Sequence, residues 1–254
     1  MPIDDRSDRP IFQQIADELR ARITSGTYPP GAQLPSETDL IAEFGVTRLT
    51  VRRGLAVLAN EGLTEPHRGK GVFVRERPAV LTVRNTRFRR SDRAAGKGAL
   101  AAEAEAAGLT WSSEQLELAM VDVAGPIAEV LGESRAFARR RRMIVDGVPT
   151  QLADSYIPES IDAEIGSSRG ANAPGGIYGL LEQHGHRIMR YREELRVRSA
   201  TPEESVALEL PLAAPVVLLV RHAIDQDGRV VEYFDSVAAG DRHRYVYEWE
   251  APDD

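Results

Sequence analysis

The chain has 254 residues, 42% hydrophobic and 28% charged, with a formal net charge of −7 and no cysteine. That allows one large or two ordinary domains with a buried core, and it excludes disulfides, thiolate metal sites and cysteine nucleophiles. No apolar run approaches the length of a membrane span, and residues 1–10 are polar and acidic, so a cytoplasmic chain with no membrane partner is expected.

The first elements are helical. After Pro10, Ile11, Ile15, Leu19 and Ile23 recur every four residues and predict an amphipathic helix ending near Ser25-Gly26. Tyr28-Pro-Pro-Gly31 is a rigid turn. Ser36 can cap a short second helix through Leu40, Ile41 and Phe44, with Asp39 completing a capping box and Gly45 closing it. Thr47 can cap a third, whose Val51, Leu55 and Leu58 form one apolar face. Past Gly62 a hairpin is expected, Thr64 to Arg68 and Val72 to Val74, turning at Gly69-Lys-Gly71.

Two helices about three residues apart make a sharp crossing that projects the third helix outward, the layout of a DNA-recognition element. Away from its apolar stripe lie Arg48, Thr50, Arg52 and Arg53. Arg48 and Arg52, one turn apart, can enter the same major groove, where a guanidinium pairs with guanine or phosphate. The hairpin turn offers His67, Arg68 and Lys70 around Gly69, where backbone can approach a phosphate or the minor groove. Charge agrees. Residues 1–47 sum to −4, residues 48–77 to +4, residues 78–97 to +5 and the rest to −12. A basic middle beside an acidic remainder fits a DNA reader joined to a sensing module.

Pro10-Ile-Phe-Gln-Gln-Ile15, Ser25-Gly-Thr-Tyr-Pro-Pro-Gly31, Leu34-Pro-Ser-Glu37, Val46-Thr-Arg48, Thr50-Val-Arg52, Glu61-Gly62 and Gly69-Lys-Gly-Val-Phe-Val74 stand in one order over about 65 residues. In order and spacing this resembles the DNA-binding domain of the GntR family. The resemblance implies a winged helix-turn-helix with DNA contacts at Ser36, Arg48, Thr50, Arg52, Gly69 and Lys70. Two positions depart from the family: Thr38 stands where arginine is common, and Gly54 where alanine is usual. Gly54 costs about 1 kcal/mol of helix propensity unless close packing requires it.

Residues 78–98 read as a basic linker with a short strand at Val80 to Val83, either solvated or touching the DNA backbone; its cations are Arg84, Arg87, Arg89, Arg90, Arg93 and Lys97. From Ala99 helices and strands alternate. Helices are expected at Ala99 to Ala107, Pro126 to Leu131, Ile177 to Gln183 and Pro202 to Leu208. Strands are expected at Leu116 to Val123, Ala136 to Val145, Val148 to Tyr156, Arg187 to Arg198, Pro215 to Ala223 and Val230 to Val237, with Tyr245 to Trp249 closing the sheet. The fold class is therefore α+β, an antiparallel sheet with helices, as a domain over residues 99–254 behind a DNA-binding domain over 1–77.

Arg139 to Arg142 with Asp146-Gly-Val-Pro149, Ser155-Tyr-Ile-Pro158, Gly175-Gly-Ile-Tyr178 with Leu180-Leu181, Ala200-Thr201 with Glu203-Glu204, and Val231-Glu232 before Gly240-Asp-Arg242 carry a second resemblance. They are similar to the UTRA effector-binding domain of HutC-type GntR regulators, which implies a chorismate-lyase-like fold. It also implies effector contacts at Arg141, Tyr178 and Glu232, with Arg139 on the same strand face by alternation. Members that sense phosphosugars carry a further arginine and a serine where this chain has Met143 and Gly176, and an aromatic commonly closes the site where this chain has Ala238. A less polar effector is the expectation.

Together these readings describe a sequence-specific transcriptional regulator. It is expected to be a homodimeric repressor released from a palindromic operator by a small-molecule effector, and to act in the cytoplasm at the nucleoid. Neither a catalytic motif nor a cofactor motif appears, so no enzyme activity and no cofactor are expected. His184-Gly-His186 lacks a third metal ligand nearby and reads as a turn. Two alternatives stand beside this: a sheet domain that only dimerises, or one that retains an enzymatic activity.

Overall fold

The computed structural model describes Asp4, Ser91, Ala95 and residues 7–76, 80–89, 98–166 and 175–251. It divides into two compact units, 1–77 and 78–254. Of the expected connector cations, Arg90, Arg93 and Lys97 lie outside the described residues.

In the first unit, α1 (Ile11–Thr24), α2 (Glu37–Phe44) and α3 (Arg48–Asn60) enclose a core of Ile15, Leu19, Leu34, Leu40, Val51, Leu55 and Leu58. The local signals act as expected. The Ser36 hydroxyl caps Asp39 N–H, with the Asp39 carboxylate returned to the Ser36 backbone, and Gly45 ends the helix in the left-handed region. Gly54 has its packing reason: a Cβ there would lie 3.0 Å from the Phe12 carbonyl oxygen and 3.1 Å from Ile15 Cγ2. The missing side chain lets α3 lie against α1. β1 (Thr64–His67) and β2 (Gly71–Val74) form the hairpin.

The second unit is a six-stranded antiparallel sheet in the order β4-β5-β6-β9-β8-β7. Its strands are β4 (Trp111–Asp122), β5 (Arg135–Val145), β6 (Val148–Pro158), β7 (Ile188–Ser199), β8 (Pro215–Asp225) and β9 (Val230–Ala239). Helices α5 (Gly125–Leu131) and α8 (Pro202–Ala207) lie over one face, against Tyr156 and Tyr233 and beside Leu152, Leu218 and Val237 respectively. On the other face, α6 (Glu159–Ile165) and α7 (Gly176–Gln183) pack on Phe137 and Ile157, while α4 (Ala99–Ala106) lies near Met143, Leu219 and Phe234. α6 has no counterpart among the sequence expectations. β4 also starts five residues before the expected Leu116: its exposed, polar first half has no apolar alternation, yet pairs along β5.

Two expectations are corrected. Tyr245 to Trp249 does not close the sheet. Instead β10 (His243–Val246) pairs in parallel with β3 (Leu81–Arg84), apart from the six strands, and Trp249 is 79% exposed. The reason is apolar demand. Leu81 and Val83 alternate inward, and with Tyr245 and Leu100 they cover apolar side chains on the sheet face. For the same reason residues 81–88 are not a solvated connector: Leu81 and Val83 are core, and Arg87 is buried in an ion pair with Glu193.

Candidate functional site

One cationic face lies on the first unit. Thr47 caps α3, so Arg48, Thr50, Arg52 and Arg53 occupy its first two turns. The Arg48 and Arg52 side chains are 63% and 62% exposed, and both converge on Glu37 of α2, at 3.7 Å and 2.8 Å. Arg52 binds Glu37 through Nε, which leaves its two terminal nitrogens for an acceptor outside the protein. Glu37 thus holds two guanidiniums together in advance of any ligand. Arg53 is exposed, and Thr50 is half-buried with its hydroxyl 2.9 Å from that of Thr47. Ser36 is exposed at the start of α2, its side chain engaged in the capping box.

The hairpin tip presents Arg68, Gly69 and Lys70 to solvent. Its shape is fixed from below, where Gln33 Nε2 donates to the Lys70 carbonyl oxygen at 2.7 Å. Gly71 has φ +112° and a Cβ there would meet Gln33 Nε2 at 2.7 Å, so glycine is required. His67, also exposed, turns back along the hairpin, 2.9 Å from Glu65 and against the Phe73 ring.

The other site is a cavity of about 460 Å³ in the second unit. Pairing register sets its floor as rows of side chains on one sheet face. One row runs Arg139, Ser155, Phe234, Arg221, Glu193, and the next runs Arg141, Ala153, Ser236, Leu219, Leu195. A third carries Met143, Gln151 and the fully buried Ala238. Residues of β3, α4, β10 and the start of α7 complete the walls.

Arg139, Arg141, Tyr178 and Glu232 all line this cavity, brought together from β5, α7 and β9. Tyr178 and Glu232 are committed to each other: the tyrosine hydroxyl donates to Glu232 Oε2 at 2.5 Å and accepts from Arg221 Nε at 2.9 Å. Burial, and then the adjacent carboxylate, push the Tyr178 hydroxyl well above its usual range, against the pull of Arg221. Arg221 is buried too, yet Tyr178, Glu232 and Glu193 hold it above the ordinary arginine value. Arg141 differs. Its guanidinium donates to Ser155 Oγ at 3.2 Å, and its buried Nε has no hydrogen-bond partner among the described residues. Burial, reinforced by Arg139, lowers its pKa to about 10. Arg139 is lowered in the same direction by burial.

Several lining residues escaped the sequence reading. Arg221 is the most telling. It directly follows the apolar run Val216 to Val220 on the same strand, and a lone cation there must find buried partners. Phe88 stacks on Tyr191 with centroids 4.4 Å apart and lies 4.5 Å beneath the Arg221 guanidinium. Glu103 of α4 accepts from the Arg84 N–H at 3.1 Å, and burial raises its pKa to about 7 although Arg87 opposes the shift. Arg242, from a motif singled out in the sequence, plays a different part. Fully buried, it donates to the carbonyls of Pro149, Leu208 and Glu209, tying the β5–β6 turn to the end of α8. Both histidines of His184-Gly-His186 have local partners: His184 sits on the Leu180 carbonyl, and His186 between Asp225 and Glu164.

Residues 11–74 match the family described as bacterial regulatory proteins, gntR family, and residues 106–244 match the UTRA domain family. The repressor NagR of Bacillus subtilis is 29% identical over 251 residues, covering 97% of this chain and 98% of its own. An HTH-type transcriptional regulator of Rhizobium meliloti is 33% identical over 238 residues, covering 91% and 92%. The crystal structure of PhnF from Mycobacterium smegmatis shares the fold, with a TM-score of 0.60 at 23% identity over 94% of this chain and all of that one.

Proposed function

The chain belongs to the GntR family of bacterial regulatory proteins, its second half a UTRA domain, and on that premise we propose a homodimeric repressor that leaves its operator when a small molecule fills the cavity of the second unit. It is a DNA-binding transcriptional regulator. In the proposed contact α3 enters the major groove, with Arg48, Thr50, Arg52 and Arg53 reading bases and phosphates. Ser36 and the tip residues His67, Arg68, Gly69 and Lys70 hold the backbone or the minor groove. One short recognition helix covers too little DNA for useful specificity, so two copies on an inverted repeat are required. The protein works in the cytoplasm, at the nucleoid.

The observation that carries the sensing half is Arg141: a half-buried guanidinium lining the cavity, with one hydroxyl for a hydrogen-bond partner among the described residues. Burying a charge so poorly compensated is costly, and an anionic or carbonyl group in the cavity supplies what is missing. Arg139 assists, and Tyr178 and Glu232 form the wall that fixes the ligand's orientation. A ligand that favours one dimer geometry over another shifts the spacing of the two recognition helices. A tenfold loss of operator affinity needs about 1.4 kcal/mol of such coupling.

Selection from random duplex DNA with the full-length protein tests the DNA half; an inverted repeat is the expected result. Enrichment of a non-repeated site by a monomer, seen in sedimentation at micromolar concentration, would overturn the dimeric reading. For the sensing half, Arg141→Ala is expected to bind the selected operator and fail to release it when the inducing molecule is added.

A further inference from the structure

Resting on the reading of the cavity as an effector site, we infer that its ligand is a monocarboxylic acid with an apolar body. At the Arg221 end of the cavity the polar groups are already spent on one another, while Ser113 and Gln151 line it elsewhere. The Tyr178 hydroxyl is used twice, by Glu232 and Arg221. Glu193 takes Arg87 and Arg221, and the Ser236 hydroxyl donates to the Leu219 carbonyl at 3.4 Å. A ring hydroxyl set against these groups stays without a partner or breaks an existing bond, and both outcomes weaken binding.

Arg141 lines the cavity with a hydrogen bond to Ser155, and a planar carboxylate matches a guanidinium. Charge balance sets the valence. Arg87, Arg139, Arg141 and Arg221 face Glu103, Glu105, Glu193 and Glu232. The four cations and four carboxylates balance, and burial, which raises the Glu103 carboxyl, tips that balance toward the cations. That accommodates one negative charge and resists two.

Beyond Arg141 the lining turns apolar. Met143, Leu219 and Phe234 form the floor, with Leu81, Leu100 and Tyr245 on the walls. Met143 follows Arg141 by two residues on the same face, where another cation would have extended the polar end. A cavity of about 460 Å³ lies within the range of small-molecule sites.

The test uses full-length protein at pH 7 with hexanoate, octanoate, decanoate, 1-octanol and glucose 6-phosphate, followed by calorimetric titration. Affinity should rise about fourfold per methylene along the acid series until the cavity is full. Octanoate should bind at least tenfold more tightly than 1-octanol. Arg141→Met, with an unchanged far-ultraviolet spectrum as folding control, should erase that difference and keep the chain-length trend. Leu100→Asn should flatten the trend and keep the preference for the acid. Tighter binding of glucose 6-phosphate than of octanoate, lost in Arg141→Met, overturns the ligand class while the cavity stands as the effector site. Failure of all three acids to bind also overturns the class. Octanoate binding that Arg141→Met leaves unchanged overturns both the class and the site.

Discussion

Arg52 and Arg141 are the same side chain in opposite settings. Arg52 stands 62% exposed on α3, leaning on Glu37 with water around the rest of its guanidinium. Arg141 lies half-buried in the second unit's cavity, with one hydroxyl for a hydrogen-bond partner among the described residues. The first has kept its hydration, so exchanging water for a base edge changes its energy modestly, and discrimination must come from geometry. The second is half-buried with one hydroxyl for a partner, so an acceptor brought into the cavity gains more there. Exposed cations suit a surface that must sample many wrong sequences and leave them quickly. A half-buried cation suits a site that must answer to one class of molecule.

The sharpest way to break the comparison is at Arg221, the buried cation that is fully compensated. Arg221→Ala strands Glu193, Glu232 and Tyr178 without their shared cation. It should cost about 3–5 kcal/mol of second-unit stability in urea denaturation. A loss below 1 kcal/mol would mean that those acids are solvated.

Glu103→Gln comes next. Burial raises the Glu103 carboxyl from 4.5 to about 7, so the folded state holds its proton where the unfolded chain has released it. Stability is therefore lost as pH rises from 4.5 through about 7, with Arg87 and Arg221 softening the effect and Glu193 adding to it. Burial lowers His243 to about 4, which acts in the opposite sense below its ordinary 6.5. The readout is therefore the difference between wild type and Glu103→Gln, in which the His243 contribution cancels. The two should nearly match at pH 4.5, and by pH 8 the variant should lead by up to about 3 kcal/mol. A constant difference across that range would show that Glu103 ionises normally.

The exposed cations give the smaller effects. Arg52→Ala should weaken operator binding roughly 5- to 150-fold and relax the preference at one base pair, with the melting temperature unchanged. Lys70→Ala should weaken binding to all sequences alike and reduce the salt slope by about one. If fluorescence anisotropy finds Arg52→Ala no weaker than wild type on the selected operator, α3 is not the reading helix.

The first unit was legible because its signals are local. Ser36 with Asp39, Thr47 and the glycines at 45 and 62 mark element ends within a few residues of the chain. Gly54 could be flagged as costly, but the reason for it sits on another helix, at Phe12 and Ile15. In the second unit the strands were legible from alternation, and the four expected cavity residues came from motif resemblance. Register then added what no local window contains: Arg221 faces Glu193 across β7 and β8, and Phe88 reaches both Arg221 and Tyr191. Tyr245 read as the last strand of a sheet because its neighbours have strand propensity, and propensity does not say which partner wins.

Pairing of β3 with β10 also sets a schedule. Leu81 and its ladder partner His243 are separated by about 160 residues of chain. At about 5–20 residues per second of synthesis, β3 waits on the order of ten seconds or more before its partner exists. Throughout that interval Leu81 and Val83 lack the strand that pairs with them, and the cavity lacks Tyr245. An unpaired apolar strand is an invitation to other chains, so arrested nascent chains ending before position 243 should be bound by holdase chaperones at this segment. On the proposed reading of the cavity, sensing is thus the last property the polypeptide acquires, and premature termination yields a product that lacks it.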